Sequence, residues 1–267
     1  ASLTGFGGTG PLKDRPGYDP LLQAYSGLMS ITGDPDGAPV RIGFSVLDLG
    51  TGMWAATAIL AARRERDRTG RGAHIGTSLY ETALAWAMLP LSTHWAGGGT
   101  PRRYGSGTST IVPYAAYATR DLEYVLVAAG NDQLFGRLAK ALGHPEWTSD
   151  PRMERNPARV ENRELVDTAI AEIAATLTTE EFLGRLQSAG IPASPVRTLA
   201  DVDEDAQAQA LAIFSVPGGA GGLPVVGLPM NFDGQRPPTT RAAPRLGAHT
   251  AEILAELGLS EAGTVHR

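Results

Sequence analysis

Apolar positions recur along this chain in two rhythms. The plainest helical one runs through Leu165, Val166, Ala169, Ile170, Ile173, Ala174 and Leu177, which fall on one face at spacings of three and four. A shorter stripe of Leu134, Phe135, Leu138, Ala141 and Leu142 ends at Gly143, a residue suited to the left-handed position after a helix. Thr178 and Glu181 have the spacing of a capping box, and the helix they open should stop at Gly190, before Pro192. The other rhythm is that of strands. Residues 112–119 and 124–129 are rich in β-branched and aromatic side chains, and the polar stretch between them predicts a hairpin.

The first hundred residues read differently. Pro11, Pro16, Pro20, Pro35 and Pro39 punctuate residues 1–40. An apolar stretch at 42–47 predicts a strand, and residues 49–64 predict a helix that is apolar on nearly all sides and so should be buried on all sides. It closes in a charged run at 63–68 and a Thr69-Gly70-Arg71-Gly72 turn. Residues 73–77 predict a short strand, and Ser78 with Glu81 a capping box for the next helix. Glycines crowd 97–107, where a domain boundary is expected; 216–244 predicts an extended loop, and 249–257 a closing helix.

Composition narrows the function. A net charge of −5 over 267 residues argues against a general nucleic-acid binder, because neutralising phosphates takes a basic surface. The absence of cysteine excludes disulfides and thiolate nucleophiles. Five histidines are scattered without metal-ligand spacing, so no metal is expected. The first residues lack the basic and apolar regions of a signal peptide, and the longest apolar run, 53–62, is too short to span a bilayer. A cytoplasmic protein with no membrane partner is the expectation.

Two motifs carry candidate chemistry. Gly5-Phe6-Gly7-Gly8-Thr9-Gly10 matches the dinucleotide fingerprint in letters, but it runs into Pro11 and opens no amphipathic helix, so a nucleotide turn is not expected there. Asp48 follows the apolar stretch and precedes Leu49-Gly50-Thr51-Gly52 at the head of the apolar helix. By position it is either an N-cap, the commoner role for aspartate, or a carboxylate nucleophile at the end of a strand.

The ordered set of Thr4-Gly5-Phe6-Gly7, Gly10-Pro11, Gly17-Tyr18-Asp19, Thr32-Gly33, Asp48-Leu49-Gly50-Thr51-Gly52 and Thr69-Gly70-Arg71-Gly72 resembles the family III CoA-transferases. The likeness continues through Asn156-Pro157-Ala158-Arg159, Asn162-Arg163, residues 189–196 and residues 244–250, in the family's order. This resemblance implies that Asp48 is the nucleophile that moves coenzyme A between an acyl-CoA thioester and a free carboxylic acid. The intermediates would be an aspartyl anhydride and an aspartyl-CoA thioester. It implies no tightly bound cofactor, since coenzyme A is a substrate. The Gly50–Gly52 segment, read as a turn, would donate N–H groups to developing oxyanions. CoA contacts are expected at Arg15 and Tyr18. Gly105-Ser106-Gly107 is either a lid over the reactive anhydride or a plain linker.

Two other readings stand beside transfer. One is a 2-methylacyl-CoA racemase, whose relatives place histidine where this chain has Tyr18 and a glutamate where it has Gly130-Asn131-Asp132. The other is a silent family member that only binds CoA esters. By resemblance the fold is α/β, with a Rossmann-like large domain, incomplete here, formed by 1–103 and the return segment 198–267, around a smaller α+β domain at 104–197. An interlaced homodimer is expected. So is a missing N-terminal segment or chain, because the resemblance starts inside the family pattern and few strands remain for the large sheet.

Overall fold

The computed structural model describes residues 1–217 and 222–259, and these divide at residue 196 into two compact units. In the first, β1 (Ser2–Thr4) pairs in parallel with β2 (Gly76–Ser78), and between them come α1 (Asp19–Tyr25) and the 24-residue α2 (Val46–Thr69). Two short helices, α3 (Leu79–Trp86) and α4 (Met88–Trp95), follow β2. Leu22, Leu28, Leu47, Ala83 and Ala87 form the small core that joins α1, α2 and α3. Two glycines let the chain close around it: a Cβ on Gly5 would lie 2.8 Å from the Gly17 Cα, and one on Gly17 would lie 2.7 Å from the Gly5 Cα. No other residue fits at either place.

A second core fills residues 112–191. The antiparallel hairpin of β3 (Tyr114–Ala118) and β4 (Tyr124–Ala128) is covered by α5 (Asp132–Ala141), α6 (Asn156–Glu161), α7 (Arg163–Ala174) and α8 (Thr179–Ser188). Beyond the predicted hairpin, β5 (Ala193–Pro195) adds a third strand on the outer side of β4. Here the sequence pattern translates directly. Gly143 takes φ 85° after α5, the Thr178–Glu181 capping box is fully made, and Gly190 takes φ 66° after α8. Phe135, Leu138, Ile170, Phe182 and Leu186 are buried completely or nearly so. Burying a side chain of that size stabilises by roughly 1.5–3 kcal/mol.

The second unit holds α9 (Ala206–Ala210), the short antiparallel pair β6 (Phe214–Ser215) and β7 (Val225–Val226), and α10 (Thr250–Glu256). The expected loop at 216–244 is thus interrupted by a strand, and its residues 218–221 lie outside the described residues.

Four expectations need correction in the first unit. Residues 42–45 form no strand, and α2 begins at Val46, three residues earlier than expected, and runs on to Thr69. The strand expected at 73–77 is β2, displaced to Gly76–Ser78. The capping box at Ser78 is half made: Ser78 Oγ accepts from the Glu81 N–H, but the Glu81 carboxylate accepts from Ser78 Oγ and not from the backbone. Finally, α2 is buried on one face only, through Leu47, Gly50, Thr51 and Ala55. Leu49, Met53, Trp54, Ile59 and Leu60 are exposed, because α1, α3 and the β1–β2 pair all pack on the same side. No helix among the described residues is long and apolar enough to cross a membrane.

Candidate active site

The first turn of α2 is organised from a distance. Every α-helix begins with N–H groups that have no partner inside the helix. Ser45, at the N-cap position, makes no side-chain hydrogen bond to them. Instead Asp19, 2% exposed at the start of α1, reaches across: its Oδ2 accepts from the Leu47 N–H at 2.7 Å and the Asp48 N–H at 3.3 Å. Gln23, one turn along α1, holds the other carboxylate oxygen through Nε2 at 2.5 Å, while its Oε1 accepts the Ile42 N–H at 2.8 Å. Asp19 and Gln23 therefore pin both the approach to α2 and its opening turn. This explains why residues 42–45 form no ladder. The Ile42 N–H is spent on a side chain.

Asp48 is not the N-cap. It occupies the third helical position, its backbone N–H is taken by Asp19, and its side chain is exposed. Among the described residues that carboxylate makes no hydrogen bond and no ion pair. A carboxylate with no structural duty, fixed in the first turn of a 24-residue helix, sits in the positive end of the helix dipole.

The glycines after it have a packing role. Gly50 lies inside α2, where a Cβ would come within 2.3 Å of two Trp86 ring carbons and 3.1 Å of Thr82 Cγ2. Close packing of α2 on α3 requires glycine there, and the Thr51–Thr82 hydroxyl pair at 2.8 Å seals the same contact. This corrects the expected oxyanion turn. Gly50–Gly52 is helix, so its N–H groups point into the helix ladder. The earlier N–H groups are occupied too, Val46 by the Phe44 carbonyl and the next two by Asp19.

Arg15 and Tyr18 lie on the segment leading into α1, and both are exposed. The Arg15 guanidinium stands 6.0 Å over the Phe6 ring, and Tyr18 immediately precedes the aspartate that touches Asp48. Phe6, Tyr25 and Tyr80 form an aromatic cluster beneath Arg15, with ring centres 5.2–6.1 Å apart. The Gly5–Gly10 run opens no helix.

Gly105-Ser106-Gly107 is a tied turn. The Gly105 N–H donates to the Gly33 carbonyl at 3.1 Å, Ser106 Oγ accepts the Ala116 N–H at 2.8 Å, and the Gly107 N–H returns to the Tyr104 carbonyl. No hydrogen bond among the described residues joins it to Asp48. The structure thus joins Tyr18 to Asp48 through Asp19 but does not bring the glycine turn into that set.

Two supports escaped the sequence reading. Asp19 and Arg159 both stood inside quoted motifs, yet neither received a role. Arg159 is fully buried: its guanidinium donates to the carbonyls of Val112, Met153 and Glu154 and to Asp132, and lies 4.3 Å over the Phe135 ring. An arginine on the short α6, six residues before the apolar stripe begins, gives no local sign that it is buried. For Asp19 a sign exists: an acid followed by proline in the first helical turn, with glutamine four residues on.

Residues 1–250 match the model of CoA-transferase family III. Succinyl-CoA:glutarate CoA-transferase of Mus musculus is 36% identical over 269 residues, covering all of this chain and 61% of the mouse protein. Acetyl-CoA:oxalate CoA-transferase of Acetobacter aceti is 35% identical, over 98% of this chain and 67% of its own length. A CAIB/BAIF family protein from Brucella suis has a crystal structure that superposes with a TM-score of 0.80 at 35% identity, covering 96% of this chain and 66% of that one. The chain spans about three fifths to two thirds of the length of these relatives. On sequence and on fold alike, this chain belongs to CoA-transferase family III.

Proposed function

We propose that this chain carries the nucleophilic half of an enzyme that moves coenzyme A from an acyl-CoA thioester to a free carboxylic acid, with Asp48 as the nucleophile. The observation that supports this most is the division of labour at the head of α2: Asp19 does the capping, and the Asp48 carboxylate is exposed and unbonded. In the proposed cycle Asp48 attacks the donor thioester carbonyl and expels CoA thiolate, leaving an acyl-aspartyl anhydride. The thiolate attacks the aspartyl carbonyl, giving an aspartyl-CoA thioester and the free donor acid. The acceptor carboxylate displaces CoA thiolate from that thioester, and the thiolate then attacks the acceptor carbonyl of the new anhydride. Acyl-CoA leaves and Asp48 is restored. Each step exchanges one activated carboxyl for another, which is the advantage of covalent catalysis.

Arg15 and Tyr18 are proposed CoA contacts, being exposed and continuous with Asp19. The Gly105–Gly107 turn is proposed as the cover that keeps water from the anhydride. Domain limits at 1–103, 104–197 and 198–267 are proposed as well. We further propose that the apolar face of α2 is covered in the working enzyme, by a second copy of this chain in a homodimer and by a segment corresponding to the part of the relatives this chain does not match. CoA thioesters are made and spent inside cells, which fits a cytoplasmic enzyme. Exchange of isotope-labelled carboxylic acids into acyl-CoA tests the reading. The protein should catalyse it, and the Asp48→Ala variant should fall to background; exchange that survives the substitution would end it.

A further inference from the structure

Gln23 joins two partners of opposite demand. It is 0% exposed, and its Oε1 accepts the Ile42 N–H at 2.8 Å while its Nε2 donates to Asp19 Oδ1 at 2.5 Å. An N–H needs an acceptor and a carboxylate needs a donor, so only one orientation of the amide serves both. Asp19 and Gln23 stand one turn apart on the same face of α1, and the helix itself sets their spacing.

Asp19 depends on this support. The last torsion of an aspartate is soft and nearly two-fold, so a carboxylate held through one oxygen alone is free to turn. Gln23 fixes Oδ1 and thereby leaves Oδ2 aimed at the Leu47 and Asp48 N–H groups. The chain of contacts from Ile42 through Gln23 and Asp19 to the Asp48 peptide is unbroken. The Asp48 carboxylate has no hydrogen bond of its own among the described residues. What fixes its place is the peptide that carries it.

Resting on the transferase reading, we infer that Gln23 is a positioning residue for Asp48, acting through Asp19 and touching no substrate. By holding the first turn of α2 it sets the angle at which the Asp48 carboxylate meets a thioester. Its loss therefore lowers kcat and leaves KM for acyl-CoA nearly unchanged. A displacement of about 1 Å at a reacting group costs on the order of 100-fold in rate.

Glutamate at this position separates positioning from packing. Ionised, it offers only acceptors and opposes the Asp19 carboxylate; protonated, it offers the donor and the acceptor that the amide supplies. Burial and the Asp19 charge both raise the pKa of such a group, so it is ionised at high pH and protonated as pH falls. The elements packed against α1 are α2, α3 and the turn at Leu28–Ser30. Their titratable groups are Asp48, with no other charge on α2 before Arg63, and Tyr80 and Glu81 on α3; Arg41 adjoins Ile42. None of these side chains hydrogen-bonds to Asp19 or Gln23 among the described residues.

CoA exchange by each variant is compared with that of the unmodified protein at the same pH, between about pH 8 and about pH 5.5. Gln23→Glu should lose kcat on the order of 10- to 100-fold at the upper end and regain most of it at the lower, with KM within about threefold throughout. Gln23→Met, similar in shape but without donor or acceptor, should lose kcat at every pH. Asp121→Asn, which weakens the ties between the hairpin and the head of α8, should keep its kcat and so controls for lost stability. Hydrogen exchange at the Leu47 and Asp48 amides, at the upper pH, should be faster in both Gln23 variants and unchanged in Asp121→Asn. A Gln23→Glu loss that does not vary with pH, a loss confined to KM, or unaltered exchange at those two amides would overturn the inference. If the amides respond as expected while no protein supports CoA exchange, Gln23 still places Asp48 and it is the transferase reading that falls.

Discussion

Asp19 takes the capping task at the head of α2, and the nucleophilic task is the one we propose for Asp48. An aspartate at the head of a helix reads as a cap, and nothing in residues 45–52 reveals that the cap comes from residue 19. The resemblance was needed to single out Asp48, and the structure supplies the physical reason it can be spared. Opposite outcomes follow for the two carboxylates. Asp48→Ala should change thermal or denaturant stability by less than about 0.5 kcal/mol, as expected of an exposed site without partners, while removing CoA exchange. Asp19→Ala should cost about 1–3 kcal/mol, because it strips the Leu47 and Asp48 N–H groups and Gln23 of their acceptor in a buried place. Paired urea titrations of the two variants check this, and a larger loss in Asp48→Ala than in Asp19→Ala would contradict it.

At the scale of elements, legibility followed how local the determining contacts are. The helices α5, α7 and α8 were readable because their signals are local: a stripe and its stop for α5, a stripe for α7, a cap and a stop for α8. The run at 42–47 was misread as a strand because Gln23 and Asp19, about 20 to 30 residues earlier, capture its backbone. The third strand, β5, was hidden because it has only three residues and contains proline. The hairpin turn shows how such ties set a pH dependence. The Asp121 carboxylate accepts from the Thr119 hydroxyl and from the Thr179 N–H and hydroxyl, joining the hairpin to the head of α8. Those bonds, led by the one from Thr119, hold its carboxyl below the usual carboxylate range. A carboxyl whose folded pKa is depressed adds stability above its unfolded pKa, near 3.9, and that stability is lost as pH falls through the lower folded value. Asp121→Asn should therefore be the less stable protein at neutral pH, with the gap in melting temperature closing as pH drops below about 4. A gap constant from pH 7 to pH 3 would rule out this assignment.

For the whole molecule, the telling feature is the apolar surface that the described residues leave uncovered. Leu49, Met53, Trp54, Ile59 and Leu60 on α2 are joined by Met88, Leu89 and Trp95 on α4, and Trp95 is 74% exposed. The all-round apolar character of α2 was read from sequence as burial on all sides. The structure corrects that reading: α2 is buried on one face, and the described residues leave its other apolar side chains exposed. Large exposed apolar patches mark interfaces. The 28.0 kDa chain should accordingly scatter light as a dimer or larger species at micromolar concentration, and should bind a hydrophobic dye more strongly than a folded monomer of its size. A monodisperse monomer with no dye binding would argue that the face needs no partner.

The central claim is that Asp48 is transiently acylated and carries CoA, and oxygen transfer tests it most directly. In the proposed cycle the acceptor carboxylate attacks the aspartyl carbonyl, so one acceptor oxygen becomes the bridge of the anhydride and stays on Asp48 when acyl-CoA departs. Turnover with an acceptor acid labelled with oxygen-18 in its carboxylate, followed by proteolysis and mass spectrometry, should place the label on the Asp48 side chain and on no other residue. Active turnover that leaves the Asp48 peptide unlabelled would show that CoA moves by another route.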